Sequence, residues 1–164
     1  MIFISLNKDD DKQCRSFEEM MDAYTLELDE HLGKNTPREV IGRWVKSIIE
    51  KQGAADRHLE LCWEENEPVG FLFGKVDRPE HRGYVRPGWG YVMEFYVRPE
   101  YRRRGYGRAM CRQLEELFRQ DGVTDIYLTA DPVTGKPFWL AMGYTGIGER
   151  SPDNQQEIFE KHLA

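Results

Sequence analysis

Long apolar runs are missing from this sequence. Nothing approaches the roughly eighteen consecutive apolar residues that a membrane-spanning helix requires. The first twelve residues, MIFISLNKDDDK, offer no basic leader followed by an apolar stretch, so no secretory signal is expected and the protein is placed in the cytoplasm. Cysteine is scarce: Cys14, Cys62 and Cys111 have no paired spacing, which argues against a disulfide framework and against zinc. His31, His58, His81 and His162 likewise show no metal-ligand spacing, so no metal is expected. Repeats, low-complexity tracts and linkers are also missing, which leaves residues 1–164 as one domain. Net positive charge is lacking too: the balance is −6, unfavourable for general binding to nucleic-acid backbones.

What the chain does contain is material for one core. Apolar residues make up 40%, with eight Tyr, eight Phe and four Trp among 164 residues, enough for a single packed domain. Ile2–Leu6 reads as a strand that ends at the acidic run Asp9–Asp11. Phe17, Met20, Met21, Tyr24 and Leu28 then recur at helical spacing. A second helix is expected after Thr36, with Thr36 as cap, Pro37 in the first turn and Glu39 closing a capping box. Its apolar stripe includes Val40, Ile41, Trp44, Val45, Ile48 and Ile49. Leu59, Leu61 and Trp63 alternate as in a half-buried strand, and Val69–Val76 is its hairpin partner. Asp77–Gly90 is a long connection, and Tyr91–Val97 is the most strand-like run in the chain. A helix from about Arg108 to Gln120 follows, then a strand at Ile126–Ala130, a short helix at Phe138–Met142 and a strand from Tyr144. The tail around Ile158 and Phe159 is read as a final strand. The expected class is α/β, a mixed sheet with helices on its faces.

The chemistry concentrates where strand, turn and helix meet, in YVMEFYV, RPEYRRRGYG and RAMCRQLEELF. Gly105 and Gly107 let backbone N–H groups converge without side-chain obstruction, and the helix that follows aims the positive end of its dipole at the same point. Arg102, Arg103, Arg104 and Arg108 add positive charge to an otherwise acidic chain. A pyrophosphate suits this arrangement. The loop lacks the Lys-Ser/Thr ending of a triphosphate-binding loop and the third glycine of the dinucleotide fingerprint.

The segment resembles motif A of the GCN5-related N-acetyltransferases (GNAT), whose signature Gln/Arg-x-x-Gly-x-Gly/Ala is matched by Arg102, Gly105 and Gly107. Val97, Pro99, Glu100 and Tyr101 match its usual lead-in. The resemblance implies a GNAT-like fold, a mixed and mostly antiparallel sheet of six or seven strands with flanking helices. It also implies acetyl-CoA as cosubstrate and transfer to a primary amine by direct attack. Carried over by position, main-chain groups of Phe95, Tyr96 and Val97 meet the pantetheine arm, and those from Arg103 through Gly105, Tyr106 and Gly107 to Arg108 cradle the pyrophosphate. Val97 N–H is then the oxyanion donor and Glu94, the one acid on that strand, the base, although a structural carboxylate is an equal reading of Glu94. In the family a Tyr commonly serves as acid in a pattern like Asn-x-x-Ala-x-x-Φ-Tyr-x-x-x-Gly-Phe. Here PVTGKPFWLAMGY puts Trp139 in that place, so Trp139 packs against the cofactor arm and the acid falls to water or Tyr144. Asp131, Thr134 and Lys136 stand in for the lost amide contacts.

The acceptor is a small-molecule or peptide amine, and its charge is ambiguous. Nine acids in the first thirty residues favour a cation, whereas Arg78, His81, Arg82 and Arg86 in the long connection favour an anion. His81 and Trp89 are candidates to line the acceptor site, with a surface-loop place the favoured reading of His81 and a cover for the sheet the other reading of Trp89. Two rivals stay open: a non-catalytic acetyl-CoA sensor, and a module that acetylates a protein or tRNA. No membrane partner is expected, and since dimers are common in the family a homodimer is open.

Overall fold

A computed structural model describes residues 1–164. The elements run β1 (Ile2–Ser5), α1 (Asp11–Leu32), α2 (Arg38–Lys51), β2 (Arg57–Glu64), β3 (Glu67–Val76) and β4 (Gly90–Val97), then a 3-10 turn at Pro99–Tyr101. After the turn come α3 (Tyr106–Gln120), β5 (Asp125–Ala130), α4 (Gly135–Ala141), β6 (Thr145–Arg150) and β7 (Glu157–His162). The sheet has seven strands in the order β1-β2-β3-β4-β5-β7-β6. Every neighbouring pair is antiparallel except β4 and β5. The expected mixed, mostly antiparallel sheet is therefore present. The tail is a strand, as expected, and it inserts between β5 and β6.

The sequence reading left the start of the first helix open, and the start of the second differs from it. The acidic run opens α1: the Asp10 side chain accepts the Gln13 N–H, the role of an N-cap. At α2 the cap residue is Pro37 and no side chain caps it, because Thr36 is drawn back to Asp29. Asp29 accepts the Thr36 N–H at 2.7 Å and its hydroxyl at 3.0 Å, which stitches the α1–α2 turn instead.

Alternation along the strands builds two cores. Leu59, Leu61, Phe71, Phe73 and Tyr96 face α1 and α2, where Phe17, Met20 and Met21 cover them. Leu72, Val92, Ile126, Leu128 and Phe159 face α3 and α4, beneath Met110, Leu114, Phe118 and Trp139. Each such side chain contributes about 1.5–3 kcal/mol by leaving water. Trp44, read as part of the core stripe of α2, is 46% exposed; the apolar stripe is broader than the face that packs. Cys62 and Cys111 are buried and Cys14 half-buried, all free thiols. No helix is long and apolar enough to cross a membrane.

Register in the β2–β3 hairpin follows from its turn. Glu65 and Asn66 have φ of 49° and 68°, the left-handed pair that suits the twist of a two-residue hairpin. Gly70, on β3, allows a close approach by β4: a Cβ there would lie 2.2 Å from the Tyr96 carbonyl oxygen and 3.1 Å from Val97 Cα. Backbone cannot rotate aside. Gly70→Ala is expected to destabilise by about 1–3 kcal/mol through overpacking, read as a drop in thermal midpoint of about 2–4 °C per kcal/mol. An unchanged midpoint would mean that β3 and β4 do not meet this closely.

Candidate active site

Between β4 and β5 the sheet comes apart. Parallel pairing holds only at Gly90↔Ile126, Tyr91↔Tyr127 and Val92↔Leu128. At the next residue β4 bulges: Phe73 pairs with Glu94 and Gly74 with Val92, so Met93 is the extra residue. Beyond it, Phe95 to Val97 run beside an opening in place of a partner strand. The cleft so formed measures about 790 Å³ and is lined by β4, the end of β5, α1, α4 and the loop into α3.

The backbone of β4 is already set for an extended ligand. Arg98 N donates to Val69 O across to β3, so by strand alternation the main-chain groups of Val97 and Phe95 point to the open side. Those of Tyr96 turn towards β3, which corrects the expectation that all three residues offer their backbones to the arm. Tyr96 lines the cleft all the same.

At the end of β4 the loop folds into a cradle. Arg103 and Gly105 both have positive φ, 61° and 90°, and α3 starts immediately afterwards with no side-chain cap. The first bond of that turn is Ala109 N to Gly105 O, so the N–H groups just before it are left for a ligand. Arg103, Gly105, Gly107 and Arg108 line the cleft. Anions suit such a convergence of N–H groups at a helix start.

Not every arginine serves as the sequence suggests. Arg102 Nε donates to the Val97 carbonyl at 2.8 Å, and its Nη2 grips both Glu27 oxygens at 3.0 and 2.9 Å. Its charge is spent tying α1 to the loop. Arg104 lies over the rings of Tyr101 and Tyr106, away from the cleft, and the Tyr106 hydroxyl donates to Glu64 at 3.1 Å. Of the four loop arginines, Arg103 and Arg108 remain to face an anion.

Glu94 is partly buried on the α1 side. Burial is the main influence on its carboxyl and raises it to about 7, opposed by the Tyr24 phenol. Tyr24 lines the cleft, whereas Glu94 lies behind it. In turn, burial first and then the charge and contact of Glu94 hold the Tyr24 phenol well above its usual range. Sequence reading took Tyr24 for a core residue of α1. Tyr24, Glu27 and Leu28 share one helix face at i, i+3 and i+4, a visible pattern, but nothing in the chain says that this face looks onto β4.

The α4 side holds two corrections. Tyr144 is buried, and its hydroxyl donates to Glu115 at 3.1 Å in a cluster with Lys161 and Cys111, far from acid duty in the cleft. Lys136 pairs with Glu157 at 3.1 Å and does not reach the cleft. Trp139 does line it, packed edge-on against Phe95 with ring centroids 5.0 Å apart. Asp131 accepts the N–H groups of Val133, Thr134 and Gly135, each at 2.9 Å, and so builds the turn into α4. Burial would raise its carboxyl, yet those donated bonds outweigh it and hold the group below the usual range.

The basic signal is largely absorbed by internal pairs and the acidic one only in part. Asp22 binds Arg38, Glu27 binds Arg102 and Asp29 binds Thr36. In the long connection, Arg86 binds Glu160, and Arg78 and His81 both reach Asp56. His81 also meets Lys75, a buried amine held below its ordinary value chiefly by burial. Trp89 stacks under Arg86 near Tyr127. Neither His81 nor Trp89 lines the cleft.

Residues 17–144 match the acetyltransferase (GNAT) family. A protein of Stachybotrys chartarum (strain CBS 109288 / IBT 7711) named acetyltransferase is 32% identical over 119 residues, which cover 72% of this chain and 47% of that protein. The chain thus spans about half the length of that relative. Among solved structures, PaiA N-acetyltransferase from Thermoplasma acidophilum in complex with coenzyme A aligns with a TM-score of 0.72 at 15% identity, over 99% of this chain and 98% of that one. Aminoglycoside 6′-N-acetyltransferase complexed with coenzyme A aligns at 0.70 and 12% identity, over 100% and 98%. At these identities the structural likeness is one of fold.

Proposed function

The chain belongs to the acetyltransferase (GNAT) family, and on that premise we propose that it moves an acetyl group from acetyl-CoA to a primary amine of a small molecule or peptide. One observation carries the reading: the gap between β4 and β5 is continuous with the cradle at the start of α3. An extended arm ending in a pyrophosphate requires that combination. The neighbours crystallised with coenzyme A, one an aminoglycoside and one a PaiA N-acetyltransferase, support an amine acceptor.

Each part of the reaction has a candidate in this chain. The backbone of the Arg103–Arg108 loop and the charges of Arg103 and Arg108 hold the pyrophosphate. The main-chain groups of Val97 on the open side of β4 orient the arm, and its N–H stabilises the oxyanion as the amine attacks. Phe95, Phe138 and Trp139 exclude water along the α4 wall. Glu94, with its carboxyl near neutrality, accepts the proton that the nitrogen sheds. Neither Trp139 nor Tyr144 is placed to protonate the departing thiolate, and water serves.

The same absence of a phenol on α4 favours a second reading, a domain that binds acetyl-CoA without turning it over. Release of free thiol from acetyl-CoA, followed over a panel of amines, peptides and aminoglycosides, separates the two. Amine-dependent release is the expected result. Tight binding with no release under any acceptor would sink the transferase and leave the sensor.

A further inference from the structure

Resting on the transferase reading, the strongest remaining question is how Glu94 reaches an amine when it does not itself line the cleft. Four tyrosines are candidates to link it to the cleft. Tyr144 is committed to Glu115 in the opposite core. Tyr91 stacks on Tyr127 with ring centroids 4.6 Å apart, behind the splay point. Tyr96 lines the cleft, but the charges that act on its phenol are those of Arg102, Glu27, Glu100 and Arg98, which places it at the loop end. Tyr24 is the phenol that both lines the cleft and contacts Glu94.

Its position is well defined. The ring is held edge-on against Phe71 at 5.8 Å and tilted against Tyr96 at 5.7 Å. The Glu94 carboxyl and the Phe95 N–H, the latter a main-chain group on the open edge of β4, both bear on its oxygen. Other charges acting here are Asp131 from the end of β5, which bears on Tyr24, and Arg57, whose Nη1 lies 3.8 Å from the sulfur of neighbouring Met93. Glu27, one turn along α1, is neutralised by Arg102.

We propose that the Tyr24 hydroxyl is the group through which Glu94 takes the proton of the acceptor amine. As the nitrogen bonds to the thioester carbon, its N–H proton passes to the Tyr24 oxygen while the Tyr24 proton passes to the Glu94 carboxylate. The C–S bond then breaks, the sulfur leaves as thiolate and takes a proton from water, and Glu94 gives up its proton to solvent. Net atoms and charge balance: an amide and a free thiol form from an amine and a thioester. Tyr24 stays a phenol at neutral pH, so it always has a proton to hand on.

Tyr24→Phe tests this, because the ring that packs on Phe71 and Tyr96 is kept. The expected result is a fall in kcat of about a hundredfold, within the usual range for proton-transfer groups, with KM for acetyl-CoA unchanged. Loss of the hydroxyl also removes the contact that lowers the Glu94 carboxyl, so the acidic limb of kcat/KM should move to higher pH. A 13C carboxyl titration of Glu94 in both proteins should show the same upward shift without any turnover. With Glu94→Gln added, the double variant should lose no more than the worse single one, because the two groups act in series. Where the wild type releases thiol, an unchanged rate or an unmoved Glu94 titration in Tyr24→Phe would overturn the relay alone. A wild type that releases no thiol with any amine would take the transferase reading down and the relay with it.

Discussion

Gly107→Trp is expected to abolish acetyl-CoA binding, a loss of at least about a hundredfold in affinity, or about 2.7 kcal/mol. On the sequence alone the reason would be bulk filling the phosphate cradle. The structure gives a different one. A Cβ at 107 would stand 2.8 Å from the Phe138 ring and 3.7 Å from Val97 Cγ2, so any side chain there drives into the α3–α4 contact. Phe138 forms part of the cleft wall against Phe95, so pushing it aside disturbs the wall along which the pantetheine arm would lie. Gly105→Ala is the informative companion. Its φ of 90° strains an L side chain, yet nothing lies within 4 Å of the added Cβ. The cost is then about 1–2 kcal/mol of backbone strain, and a loss nearer tenfold is expected. Isothermal titration with acetyl-CoA, alongside thermal melts of both variants, reads the two effects. Full affinity in a folded Gly107→Trp protein would mean that the cofactor lies elsewhere.

Glu94→Gln is expected to lower kcat by about a hundredfold to a thousandfold, the range typical of a lost general base. Its signature is in the pH profile. A carboxyl raised to about 7 is mostly protonated at pH 6 and mostly ionised at pH 8, and only the ionised form accepts a proton. The wild-type rate should therefore climb across that interval, and the climb should be missing from the Gln variant. Deprotonation of the acceptor amine adds its own rise at higher pH, common to both proteins, so the ratio of the two profiles isolates Glu94. A constant ratio from pH 6 to 8 would make Glu94 a structural carboxylate, the other role open to it from its sequence context.

Local patterns were legible wherever a short segment decides its own structure. The run YVMEFYV became β4, the two glycines and the helix after them became the turn into α3, and the alternating Leu59–Trp63 run with Val69–Val76 became the β2–β3 hairpin. Thr36 was misread because a capping residue is chosen among neighbours that compete. Asp29, seven residues away, outbids the start of α2 for Thr36. The loop arginines show the same limit for charge. Four adjacent positive side chains look alike in sequence, but Arg102 finds Glu27 across 75 residues and Arg104 lies over the rings of Tyr101 and Tyr106.

The chain by itself determined the mixed sheet and the glycine turn into α3, and its motif resemblance pointed to the family. The sheet and the turn rest on periodicity, glycine spacing and helix polarity, all of which act over a few residues. Only the tertiary structure decided which groups meet at the reaction centre. The bulge at Met93 sends Glu94 towards α1, the parting of β4 from β5 opens the space beside it, and the packing of α1 brings Tyr24 to the rim. Tyr144 goes instead to the core with Glu115, where a buried carboxylate needs a donor. Contacts between residues 70 positions apart depend on how whole layers pack, and no local spacing encodes them.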